Sequence, residues 1–471
     1  MSLSLISFLG VSYLLFIWLP VRIKILLSLI VMSNGFDLLP PVIAGWLTWD
    51  FGAWGLLLTA GQLLFRKSPP GPERVRPFFV YVLGLFWLWM LVPLLWSLVI
   101  YEYPPYGTLK YARHMLVGYL AFFVFLRFFE TSPTQFERLL KELYWLTMAL
   151  MIVCIVQFAL QKKILFGLYQ DYATVTRFLP IALPVCLLFA WRIFRRALRS
   201  AALKWHELLY GALALSVLIT TFTRGLYLAC LAAVVLGIML LGIRRQLQTK
   251  GVVVTSLVLF VGLGAAGILG GLDLAVSRFK SGAELLTSIR LETSANDVDT
   301  FTGRLMLARE RFEMVLDRNP IVGYGFLNED DVWPQLRSSL KHGSIVYSPE
   351  MVEAYRYGHP YMLAFHSADI SWGDLVLNTG LVGAVLFLFT MLAMGLAYLS
   401  NPPGMDPQLA DWRFAFLLQA FVMLLLTFNG NPIIVNVQLF SFILAGFAFT
   451  SARYAASRPR IRNVLLHEVT P

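Results

Sequence analysis

Three side chains in this sequence stand where they could hold an anion or move a proton. Arg224 lies within Thr221-Phe222-Thr223-Arg224-Gly225-Leu226-Tyr227-Leu228, between two strongly apolar runs. An arginine there either snorkels to lipid headgroups and caps the preceding carbonyl end, or clamps an anion, since guanidinium binds phosphate oxygens bidentately and keeps its charge when partly desolvated. Arg304 opens an amphipathic stretch, Thr302 to Leu316, in which Leu305, Ala308, Phe312 and Val315 recur at helical spacing. A positive residue at a helix start opposes the macrodipole, whereas Arg309 and Arg311 can be neutralised by Glu313 and Glu310. Arg304 is therefore a ligand binder or an ordinary solvated charge. His366 precedes Asp369 and Asp374. Imidazole suits proton transfer near neutral pH, and a carboxylate beside it orients the ring and raises its basicity; a structural histidine is the alternative.

Lesser candidates surround these. Asn319-Pro320 is followed by Gly323-Tyr324-Gly325-Phe326, a GxG turn that lacks the dinucleotide fingerprint because it follows a helix and not a strand. Arg177, after Asp171 and Tyr172 at an expected outward helix start, is a further phosphate contact ranked below Arg224. Asp50, Arg113 and His114 sit in otherwise apolar runs, where such residues face a cavity or each other, so an Asp50 to Arg113 pair is one reading. His342, Glu350, Glu353, His359 and His366 share one segment, yet no spacing matches HExxH or a zinc finger. Asn328-Glu329-Asp330-Asp331 reads as a solvated acidic turn, without an EF-hand pattern. The sequence predicts no metal and no cofactor.

The elements that must position these residues are membrane helices. Of 471 residues 58% are hydrophobic and 14% charged, and the mean hydropathy is +0.70, which excludes a soluble enzyme. Apolar runs of about 20 residues match a bilayer core of roughly 30 Å, and the alternating strands of a membrane barrel are absent. Runs at 2–19, 22–36, 41–65, 77–100, 108–129, 138–160, 174–194, 206–222, 225–243, 251–271, 373–399, 411–428 and 433–453 predict an all-α polytopic membrane protein of about 12–13 transmembrane helices. The run at 22–36 is short and begins with Arg22 and Lys24, so it tilts or dips if it does not cross. Cys154, Cys186 and Cys230 all fall inside apolar runs and read as small buried hydrophobes. Met1 to Leu19 lacks the basic leading segment and cleavage site of a removable signal and reads as a retained helix.

Charge sets the orientation. Arg66, Lys67, Arg74 and Arg76 share one connection; Arg192, Arg195, Arg196, Arg199 and Lys204 another; Arg244, Arg245 and Lys250 a third; Arg453, Arg458, Arg460 and Arg462 lie in the tail. These are cytoplasmic ends by the positive-inside rule, and the connections near 34–40, 101–107 and 429–432, with no Lys or Arg, face outward. Segment 272–372 carries 10 Lys and Arg against 14 Asp and Glu, although the chain's net charge is +11. It is expected as one large extracytoplasmic loop domain with short helices of its own, between an N-terminal bundle at 1–271, C-terminal helices at 373–453 and a basic cytoplasmic tail at 454–471. The basic residues are spread over loop ends with no recognition motif, which argues against a nucleic-acid partner.

In order, these pieces resemble the O-antigen ligase and O-antigen polymerase superfamily, bacterial membrane glycosyltransferases that use undecaprenyl-diphosphate-linked glycans. Arg224 to Leu228 is similar to its RxxxL motif. Gly303-Arg304, a helix, Asn319-Pro320 and Gly323-Tyr324-Gly325-Phe326 resemble the front of its loop domain, and His366 through Gly380-Leu381-Val382-Gly383 the back. Ser367 and Asn378 depart from the family's usual Asn and Glu. The resemblance implies a GT-C-like fold in the bacterial inner membrane, a periplasmic site, and metal-independent, inverting transfer from an undecaprenyl-diphosphate-linked glycan to lipid A core or to a lipid-linked glycan. It implies His366, Arg224 and Arg304 as catalytic residues, with Arg177, Arg311, Tyr324, Asp369 and Asp374 as substrate contacts. The alternative from another class is a lipid or polysaccharide transporter, in which the arginines line a path and the loop is a lid.

Overall fold

The computed structural model describes residues 16–32, 42–43, 46–64, 76–160, 168–169, 177–178, 182–199, 202–221, 224–243, 311–327, 371–400, 406–427 and 437–456. In chain order the helices are α1 (Val21–Met32), α2 (Thr48–Leu64), α3 (Phe78–Trp89), α4 (Leu91–Val99), α5 (Pro105–Thr131), α6 (Pro133–Leu160), α7 (Leu183–Leu198), α8 (Trp205–Thr220) and α9 (Arg224–Ile243). Helical residues 311–318, here α10, precede α11 (Ser371–Leu399), α12 (Pro407–Leu426) and α13 (Val437–Ala456). The protein is an all-α polytopic membrane protein. Among the described residues six helices are long and apolar enough to cross a membrane, α3 and α4 counting as one, and Trp205–Thr220 and Val437–Arg453 are shorter apolar helices. The expected run at 251–271, and nearly all of that at 2–19, lie outside the described residues.

Local chemistry explains where the helices break. Pro93 has no N–H for the Trp89 carbonyl, so the run at 77–100 folds as α3 and α4, joined at Met90. Helix α1 has 12 residues, about 18 Å of helix, and falls short of a bilayer core. The run expected at 174–194 starts later. Leu168–Tyr169 pairs antiparallel with Arg177–Phe178, and α7 begins at Leu183 with Pro184 in its first turn, where its missing N–H costs nothing. Arg177 is thus a strand residue opposite Tyr169 and not at a helix start, which corrects the expectation. A second two-residue pair, Val42–Ile43 with Trp46–Leu47, leads into α2.

The helices form one contiguous apolar core. Helix α13 packs along α5 and α12, α11 along α3, α12 along α7 and α9, and α1 along α2. Aromatic rings fill the centre edge to face: Phe129 and Phe136 lie 4.5 Å apart, Phe136 and Phe449 4.8 Å, and Phe125 and Phe442 5.5 Å.

One end of the bundle gathers cations on carboxylates. Arg195 pairs with Asp411 and Arg196 with Glu207, and Arg199 lies 3.9 Å from Asp411. Arg192 stacks 4.4 Å over Trp412. Arg413 is almost fully buried and donates to Ser451 Oγ (2.9 Å) and the Ala397 carbonyl (2.6 Å). Ends of α7, α8, α11, α12 and α13 therefore meet there. Because α11 has 29 residues, about 43 Å of helix, its first residues lie at the opposite end of the bundle.

Candidate functional site

At that opposite end a turn and a broken helix complete each other's hydrogen bonds. Helix α10 stops at Asn319, whose N–H donates to the Val315 carbonyl and whose Oδ1 accepts from Ile321 N (3.1 Å) and Val322 N (3.2 Å). Gly323 then donates to the Asn319 carbonyl (2.8 Å) at φ 72°, and Gly325 follows at φ 70°. Helix α11 is interrupted at Gly380, with φ 66° and ψ −173°. An unbroken helix would join the Leu381 N–H to the Leu377 carbonyl. Instead Tyr324 N donates to the Leu377 carbonyl (2.7 Å) and Leu381 N to the Pro320 carbonyl (2.9 Å), while Trp89 Nε1 donates to the Thr379 carbonyl (2.9 Å). Backbone freed inside a membrane bundle must find such partners within the protein.

Helix α4 and the connection after it close the other side. Ser97 Oγ donates to the Pro93 carbonyl (2.7 Å) and accepts from Phe326 N (2.8 Å), and Tyr101 Oη donates to the Gly323 carbonyl (2.8 Å). A Cβ on Gly323 would meet the Leu377 carbonyl oxygen, and one on Gly380 the Ile321 carbonyl. Only glycine serves at either position.

Three expected site residues lie on the elements of this interlock, Tyr324 in the turn, Asp374 on α11 and Arg311 on α10. Tyr324 is 8% exposed and Asp374 2%. Asn378, one turn after Asp374 on the same helix face, is fully buried, with its Nδ2 3.3 Å from Tyr111 Oη. Arg311 is buried in α10, its Nη1 3.6 Å from Met314 Sδ. Arg318 Cζ stacks over the rings of Tyr101 (4.5 Å) and Tyr324 (4.6 Å), and its Nη2 donates to Tyr103 Oη (3.1 Å). Burial pushes the Tyr103 phenol up to about 12 against the opposing pull of Arg318, and raises Tyr324 for the same reason. Both phenols stay protonated at neutral pH. Arg113 Nη1 lies 3.2 Å from Asp50 Oδ1, joining α5 to α2, the pair that the sequence offered as one reading.

Other expectations are not decided by the geometry. Arg224 is the first residue of α9, whereas the sequence pattern places it in the turn before that helix; its side chain lies outside the described residues, as does that of Arg177. His366, Arg304 and Asp369 lie wholly outside them, as does the acidic run at 328–331. Sequence reasoning missed Ser97, Tyr101, Tyr103 and Arg318. The one signal was the tyrosine-rich outward connection Tyr101-Glu102-Tyr103-Pro104-Pro105-Tyr106.

Residues 209–388 match the family model described as O-antigen ligase. The matched stretch takes in Arg224, the glycine turn at 323–325 and the α11 break at Gly380, and it supports the resemblance to the O-antigen ligase and polymerase superfamily. No curated protein matches the chain.

Proposed function

We propose that this member of the O-antigen ligase and polymerase superfamily transfers a glycan from an undecaprenyl-diphosphate donor to an acceptor hydroxyl at the periplasmic face, by a metal-independent, inverting reaction. The observation that carries the reading is the interlock of the 319–327 turn with the α11 break at Gly380, both inside the residues matched to O-antigen ligase. It seats the backbone of Tyr324 against Leu377, on the helix that carries Asp374 and Asn378, at the bundle end away from the basic cluster.

The chemistry asks little beyond that frame. The acceptor oxygen attacks the anomeric carbon from the face opposite the diphosphate. The glycosyl–oxygen bond breaks, and its electron pair leaves with the diphosphate, already a stabilised anion that needs no general acid. Arg224 and Arg304 are assigned to that anion. The acceptor proton passes to His366, which stands eight residues before Asp374 in the sequence. Arg177, Arg311 and Asp369 are assigned to substrate contacts with Tyr324 and Asp374.

A helix broken near one end of a membrane bundle is also the form that transporters use around a substrate, which keeps a lipid or polysaccharide transporter as the second reading. One experiment separates them. Purified protein in proteoliposomes receives lipid-linked glycan and acceptor with chelator present and with no nucleotide or ion gradient. A new glycosidic linkage, read by mass spectrometry, is expected. Movement of intact donor across the bilayer with no linkage made would overturn the enzyme reading.

A further inference from the structure

Arg318 is exposed, yet it is fixed from three sides. It ends α10, where a cation complements the helix dipole. Two tyrosine rings stack on its guanidinium and a third tyrosine accepts from its Nη2. The rings are fixed in turn. Tyr101 donates to the Gly323 carbonyl, Tyr324 is tied through its backbone to Leu377, and the Tyr101 and Tyr103 rings lie 5.3 Å apart. Between them Glu102 has φ 53°, the left-handed region that a non-glycine residue enters at a cost. On either side of it Tyr101 and Tyr103 both face the same arginine.

An exposed arginine normally keeps its rotamer freedom, so one held this way presents its N–H edge ready for a ligand. Tyr103 accepts from Arg318, which leaves its hydroxyl proton to donate. Glu102 and Asp317, the chain neighbours of Tyr103 and Arg318, are exposed carboxylates that accept. One cation against two carboxylates disfavours a phosphate or another polyanion. The Arg318 N–H edge and the Tyr103 hydroxyl side by side, with carboxylates on neighbouring residues, match the vicinal hydroxyls of a neutral sugar.

We propose that Tyr101, Tyr103, Arg318 and Tyr324, with Glu102 and Asp317, form a subsite for a neutral saccharide unit of the glycan. The proposal rests on the transfer reaction above for its biological role, while its physical test does not. Full-length protein in lipid nanodiscs is mixed with free neutral disaccharides built of hexose and N-acetylhexosamine, or with inorganic diphosphate, and binding is followed by saturation-transfer difference NMR for the sugars and by phosphorus NMR for the anion. Wild type should bind at least one disaccharide. Arg318→Ala should weaken that binding by about tenfold or more, and Tyr103→Phe, which keeps the ring and the stack, by roughly three- to tenfold. Thermal stability is measured alongside, and Tyr103→Phe should melt near wild type, so a purely structural latch would leave its sugar binding intact. Disaccharide binding unchanged in Tyr103→Phe, or binding of diphosphate but no disaccharide, would overturn the subsite. Because this assay contains no donor and needs no turnover, bound sugar without transfer would sink the proposed reaction and leave the subsite standing.

Discussion

Whether an arginine at the membrane edge clamps a diphosphate or only reaches for headgroups is decided by its replacement with lysine. Arg224→Lys keeps the charge and the ability to snorkel but loses the planar fork, so a bidentate clamp should lose most of its transfer activity in a protein that still inserts. His366→Ala should slow transfer by roughly 100- to 10,000-fold with donor binding largely kept, if it takes the acceptor proton. Transfer at near the wild-type rate in either variant, measured beside donor binding on the same preparation, would remove that residue from the assigned chemistry. At this scale the sequence was legible where a residue type is costly in its setting. Asp50 and Arg113 had few ways to sit in apolar helices, and they pair at 3.2 Å. Arg318 gave no such signal, because an exposed arginine at a helix end is ordinary, and two of the three tyrosines that hold it lie more than 200 residues away in the chain.

Helix α11 and the 319–327 turn act as one element although some 50 residues separate them in sequence. Each was visible by its own motif, Gly323-Tyr324-Gly325 in one and Gly380-Leu381-Val382-Gly383 in the other. Their union was not, because Gly380 lies inside an apolar run that reads as uninterrupted helix and hydropathy carries no record of backbone angle. The break is imposed from outside: the turn supplies the N–H for the Leu377 carbonyl and takes the Leu381 N–H that the break releases. Glycine substitutions test this directly. Gly380→Ala and Gly323→Ala each force a Cβ onto a carbonyl oxygen at positive φ, at a cost of about 1–3 kcal/mol for the backbone angle alone, and should lower the melting temperature in detergent or empty the membrane of protein. Gly395→Ala, in the same helix with open space around it, should be neutral or stabilising by roughly 0.5–1 kcal/mol. Equal melting temperatures for all three would mean that α11 runs straight through Gly380.

At the scale of the whole molecule the two ends of the bundle differ in chemistry, and that difference makes a prediction about how the protein sits. The end built from α7, α8, α12 and the last turns of α11 and α13 collects Arg192, Arg195, Arg196, Arg199 and Arg413 around Asp411 and Glu207. The other end holds the turn, Asn378 and the tyrosines, and its connection at 101–107 carries no Lys or Arg. The proposed function, with the positive-inside rule, calls for the first end in the cytoplasm and the second outside, where a polyprenyl-linked glycan would be used. The two ends were legible in the sequence as charge counts, but their convergence was not, since Arg195 and Asp411 stand more than 200 residues apart. Orientation can be measured on one cysteine at a time, because Cys154, Cys186 and Cys230 are buried and should give little background. Glu102→Cys and Lys204→Cys place thiols at exposed positions beside the tyrosine cluster and the basic cluster respectively. In spheroplasts a membrane-impermeant maleimide should label the cysteine at 102 at once and the one at 204 only after the membrane is opened. Labelling in the reverse order would put the interlock in the cytoplasm, where the glycan of an outward-facing lipid-linked donor cannot reach it, and the transfer reaction assigned to this end would fall with it.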